Sequence, residues 1–102
     1  MVSPSSAPLR HPEALDWMGT ALAHRGPDGH AVFTSQCSGI GTERLRIIDL
    51  HVRADQPFEA PGSQVWLECN GEIYNSLELR NRYPDYPFRS ESDVETILPL
   101  YL

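Results

Sequence analysis

The sequence predicts an α+β domain, a mostly antiparallel sheet with helices on one face. Three observations carry this. Segments alternating apolar and polar residues lie between positions 30 and 69, divided by turns containing glycine and proline. Apolar stripes at spacings of three and four lie outside that block, and predict helices at 12–24, 76–83 and 93–102. The length of 102 residues suits one small domain with a modest core.

Residues 1–10 are rich in Ser, Pro and Ala and read as a flexible leader, which leaves 11–102 as the domain. Pro12 stands where a first helical turn begins, a place where its missing N–H costs nothing. Leu15, Met18 and Leu22 then give one apolar face, with Trp17 beside it, until "HRGPDGH" ends the helix. "HAVFTS" (30–35) and "GIGTERLRIIDL" (39–50) read as strands. In the second, Arg44 and Arg46 share a face with Ile40, Thr42 and Ile48, while Leu45 and Ile47 point the other way. "ADQPFEAPGS" reads as a loop with two prolines, and "QVWLEC" (64–69) as a third strand. Asn75 and Glu78 stand at capping-box spacing before the helix that Pro84 stops. "PFRS" reads as a brief strand. Ser92 and Glu95 repeat the capping-box spacing before a last stripe of Val94, Ile97, Leu98 and Tyr101.

Composition excludes several classes of function. The net charge is −6, from 14 acids and 8 bases, and every base is Arg. An acidic chain without basic runs argues against nucleic acid as a partner. No apolar run is long enough to span a membrane. The first residues show neither a basic start nor an apolar h-region, so no signal peptide is expected. Two Cys, at 37 and 69, make no disulfide framework, and the chain reads as a reduced, cytoplasmic protein. His11, His24, His30 and His51 have no metal-ligand spacing with them, and no phosphate-binding glycine loop occurs, so neither a metal nor another cofactor is expected.

Four places carry polar groups that chemistry could use, each with a structural alternative. Arg44 on a strand reads as a solvated residue or ion pair, or as a guanidinium fork for a carboxylate. Asn70-Gly71, after a strand, reads as a plain turn. It also reads as a side-chain amide and a backbone N–H close enough together to stabilise an oxyanion in acyl transfer. Glu72 crowds the same turn. Asp93, in the first turn of a helix, is favourable against the helix dipole, and could equally hold a substrate ammonium.

Six motifs then occur in order: "HRGPDG" (24–29), "ERLRIIDL" (43–50), "QP" (56–57), "NGEIYN" (70–75), "ELR" (78–80) and "SDVETI" (92–97). Together they closely resemble the N-terminal glutaminase domain of asparagine synthetases, a class II glutamine amidotransferase of the N-terminal-nucleophile type. The resemblance covers residues 11–102. It implies a partial αββα sandwich, and hydrolysis of glutamine to glutamate and ammonia for amide formation. It implies that Arg44 binds the α-carboxylate of glutamine and that Asn70 and Gly71 form the oxyanion hole. By the same resemblance Glu72 and Asp93 contact the substrate backbone, Asp93 chiefly at the α-amino group.

The sequence departs from the family in three ways. The family begins Met-Cys-Gly, and the Cys exposed by Met removal is nucleophile and, through its α-amine, base. Position 2 here is Val, and "MVSPSSAPL" stands where the apolar first strand is expected. The family domain is about twice as long, and the ATP-dependent synthetase domain is not found. Cys69 adjoins Asn70, but strand alternation points its side chain the opposite way. The expectation is therefore a glutaminase-type domain that is inactive as encoded. The alternative is a non-catalytic glutamine-binding or accessory subunit for a separate synthetase chain. Val32, Leu45, Ile47, Val65, Trp66 and Leu67 give the strands more apolar surface than three short helices cover, which predicts a homodimer or a synthetase partner.

Overall fold

The computed structural model describes residues 8–102. Helix α1 (Ala14–Leu22) leads into strand β1 (Gly29–Thr34) and strand β2 (Gly39–Arg44). Strands β3 (Phe58–Glu59) and β4 (Trp66–Leu67) follow, then helix α2 (Ser76–Arg82) and helix α3 (Ile97–Tyr101). The chain is α+β, with its strands in two small antiparallel sheets, as in part of a sandwich. No helix among the described residues is long and apolar enough to cross a membrane. The expected leader falls largely on residues 1–7, outside the described residues; Leu9 N–H donates to the Gln36 carbonyl at 2.8 Å.

β1 and β2 form a hairpin in the register Gly29↔Arg44 to Thr34↔Gly39. α1 lies against β2, with Leu15 over Gly39 and Gly41. The rest of its stripe is open: Trp17, Met18 and Leu22 are all exposed. β3 and β4 pair Phe58 with Leu67 and Glu59 with Trp66. The rings of Phe33 and Trp66 stack 3.8 Å apart and join the two sheets. Behind β3 lies the core, in which Phe58, Ala60, Val94 and Leu98 are buried and Val65, Leu67, Cys69, Tyr86 and Ile97 pack around them.

Several elements differ from the sequence reading. β2 stops at Arg44, because the chain turns through Asp49, whose φ is 48°. Leu45 and Ile47 are exposed there. β3 lies in the segment read as a loop, and "PFRS" forms no strand. Neither capping box forms. Asn75 makes no side-chain cap bond, and Glu78 pairs with Arg82 one turn along. Glu95 instead turns back to the loop before its helix, where it accepts from the N–H of Arg89 (2.8 Å) and Ser90 (3.0 Å) and from Ser90 Oγ (2.6 Å).

The segment 26–28 fixes the end of β2. Asp28 N–H donates to the Arg44 carbonyl at 2.9 Å, and Arg46 N–H donates to Asp28 Oδ2 at 3.0 Å. This approach is close enough that a Cβ on Gly26 would collide with the Glu43 carbonyl, which requires glycine there.

Candidate functional site

A cavity of about 570 Å³ opens between the C-terminal end of α1, the end of β2 with the turn after it, and residues 68–72. Arg44, Asn70, Gly71 and Glu72 all line it. Arg25, Thr42, Glu43, Gln56, Glu68 and Cys69 complete its polar wall, and Leu22, Leu45, Ile47 and Ile48 its apolar one. A second cavity, of about 1010 Å³ and lined by Phe33, Cys37, Trp66 and Tyr101 among others, contains none of the residues singled out in the sequence.

Arg44 is held rigidly. Its Nη1 donates to Asp55 Oδ1 at 2.6 Å and to the His51 carbonyl at 3.3 Å. Its Nη2 donates to the carbonyls of Ile48 and Asp49, both at 2.8 Å. The turn at 45–53 thus wraps around the guanidinium, the reason the strand pattern fails there. Arg46 shares Asp55, donating from Nε to Oδ1 at 3.0 Å and from Nη2 to Oδ2 at 2.6 Å. The hydrogen bonds from Arg46 first, then those from Arg44, hold the Asp55 carboxyl below the usual range against the opposing effect of burial.

Asp49 ties this turn to the rest of the chain. Its side chain is 2% exposed. It accepts from Glu91 N–H at 2.7 Å, His51 N–H at 3.2 Å and Arg53 Nε at 3.2 Å. The Glu91 bond is the largest reason its carboxyl is held down at about 2.

The opposite wall is the turn at 69–73. An Asn-Gly type I′ turn needs positive φ at both residues. Among the described residues only Asp49 and Gly62 have it, so Asn70 and Gly71 do not form that hairpin turn. The Gln56 side chain pins the backbone just before them: Nε2 donates to the Cys69 carbonyl at 3.0 Å, and Oε1 accepts from Cys69 N–H at 2.6 Å. On the far side, Ile73 N–H donates to Asp93 Oδ2 at 2.6 Å. Glu72 is exposed and makes no hydrogen bond to another described residue.

Four of the five residues singled out therefore meet at one cavity. Asp93 does not line it; it is buried, holds the turn from behind, and leaves Oδ1 without a partner among the described residues. Cys69 borders the same cavity as Asn70 and also packs against the core of Phe58, Ala60, Val94 and Leu98. Sequence reasoning missed Gln56, whose one signal was the "QP" motif, and Asp55, which had none. Among the described residues no group of three or more His, Cys, Asp or Glu is placed to hold a metal ion.

Comparisons with known proteins identify the family of the chain. A family model described as a glutamine amidotransferase domain matches residues 3–102. The chain is 37% identical over 91 residues to asparagine synthetase [glutamine-hydrolyzing] 1 of Bacillus subtilis, covering 87% of this chain and 14% of that protein. It is 41% identical over 81 residues to asparagine synthetase B [glutamine-hydrolyzing] of Escherichia coli, covering 78% and 14%. With asparagine synthetase [glutamine-hydrolyzing] 1 of Saccharomyces cerevisiae it shares 40% identity over 93 residues, covering 89% and 16%. The chain thus spans about one seventh of the length of the relatives it matches.

Proposed function

We propose, for a chain that belongs to the glutamine amidotransferase domain family, that the cavity between β2 and the 69–73 turn is a glutamine site of an asparagine synthetase-like protein. The observation that carries this reading is the convergence of Arg44, Asn70, Gly71 and Glu72 on one cavity. Arg44 supplies the positive charge for the α-carboxylate and Glu72 accepts from the α-ammonium, while Asp93 acts from behind by holding the turn that carries Glu72. The side-chain amide bond to be broken then lies toward Asn70 and Gly71. There the Asn70 amide and the Gly71 N–H would donate to the carbonyl oxygen as it gains negative charge. Such donors act because they are already oriented and need no reorganisation during reaction. Gln56 and Asp93 hold the backbone on either side of the turn that carries these donors. Hydrolysis releases the carboxamide nitrogen as ammonia and leaves glutamate.

The nucleophile is a separate matter. Position 2 is Val, so Met removal from residues 1–102 exposes no thiol or hydroxyl. Cys69 lines the cavity, but its nitrogen is a peptide N–H bonded to Gln56 and is no base. The polypeptide 1–102 should therefore release no ammonia from L-glutamine above the rate without protein. A coupled glutamate dehydrogenase assay tests this. Release that a thiol-directed glutamine analogue abolishes would overturn it. The accessory reading keeps the same pocket and drops hydrolysis, so the absence of ammonia release together with glutamine binding is its signature.

A further inference from the structure

We infer that Asp55 is a built-in competitor for the carboxylate-binding fork of Arg44, and that a free amino acid must displace it in order to bind. This rests on the reading of the cavity as a glutamine site. The two terminal nitrogens of Arg44 carry four N–H bonds, and all four have protein acceptors: Asp55, and the carbonyls of His51, Ile48 and Asp49. Asp55 is the one charged acceptor in that set, and at 2.6 Å its bond is the shortest of the four. The Arg44 side chain is only 10% exposed, so it has little freedom to present another edge. An arriving α-carboxylate finds one position of the fork held by a carboxylate of the same chemistry and the others by backbone carbonyls. It can take Nη1 only in place of Asp55, or settle for Nε, which has no acceptor among the described residues.

Arg46 makes the exchange cheap. It grips both oxygens of Asp55, so Asp55 leaves Arg44 without becoming an unpaired charge. Asp55 thus sets a threshold: it keeps Arg44 ordered in the empty site and subtracts from the affinity of every carboxylate ligand.

The test compares binding of L-glutamine to the chain and to Asp55→Asn and Asp55→Ser by titration calorimetry, with L-glutaminamide, which lacks the carboxylate, as the second probe. Thermal melts establish which variants are folded, and the two replacements differ in size so that one can stand in for the other. The expected result is a gain of at least about tenfold in L-glutamine affinity, equivalent to about 1.4 kcal/mol, with no gain for L-glutaminamide. Equal or weaker L-glutamine binding by folded variants, while the unaltered chain still binds, would overturn the competitor role and leave the glutamine reading standing. An equal gain for L-glutaminamide would overturn it too, since the effect would then not be carboxylate competition. No L-glutamine binding by any of the three at millimolar concentration would overturn the glutamine reading and this inference with it.

Discussion

Replacing Phe58 by alanine is expected to lower the unfolding free energy by about 3–5 kcal/mol, the range for a fully buried aromatic. Phe58 is fully buried and sits at the centre of the only cluster of buried apolar residues among those described. It is one of two residues in β3, so its ring ties that strand to Val94 and Leu98 across the core. The Arg89 guanidinium lies 4.6 Å over the ring and loses its partner as well. A domain of this size has about 5–15 kcal/mol in all, so the variant falls close to the threshold of folding. Urea unfolding followed by circular dichroism measures the loss. A decrease under about 1.5 kcal/mol would show that the cluster is not the structural centre of the chain.

Glu95→Ala is expected to cost about 3 kcal/mol or more, from two backbone N–H groups and a hydroxyl left without their charged acceptor. Glu95 is buried and holds Arg89 and Ser90 in place. The effect reaches the cavity through a short path. The loop that Glu95 fixes carries Glu91, whose N–H holds Asp49, and the Asp49 carbonyl accepts from Arg44. Arg80 supports the same loop through the carbonyls of Ser90 and Ser92, at 2.8 Å and 2.7 Å. Glu95→Gln keeps the side-chain shape and one acceptor, so it should lose less than half as much. Urea midpoints for the two variants decide. Equal losses would mean that shape and a single acceptor contribute nothing, and that the loop needs both carboxylate oxygens.

What was legible in the sequence follows the range of each signal. The two longer helices and the hairpin strands were found because their periodicity is local and their turns hold glycine and proline. β3 was missed because two residues between Pro57 and Pro61 give no alternation to read. The capping boxes failed because spacing shows which residue can reach a helix end, not which competing partner is nearer. Glu78 found Arg82, and Glu95 found Ser90. Residues 45–50 alternate like a strand, yet four bonds to one guanidinium outweigh that pattern and bend the chain around Arg44. At the cavity, residue type and turn chemistry drew attention to Arg44, Asn70, Gly71 and Glu72, and only the family resemblance gave them roles. Their supports were not singled out, because Asp55 and Gln56 act on partners 11 and 13 residues away.

The central claim is that the cavity lined by Arg44 and the Asn70-Gly71 turn receives glutamine. An amide NMR titration of the chain with L-glutamine tests it most directly, since it reports where a ligand sits even when binding is weak. The account predicts saturable shifts concentrated at residues 41–48 and 68–72, the two walls of that cavity. Shifts centred on Phe33, Trp66 and Tyr101 at the other cavity, or none at millimolar L-glutamine, would contradict it.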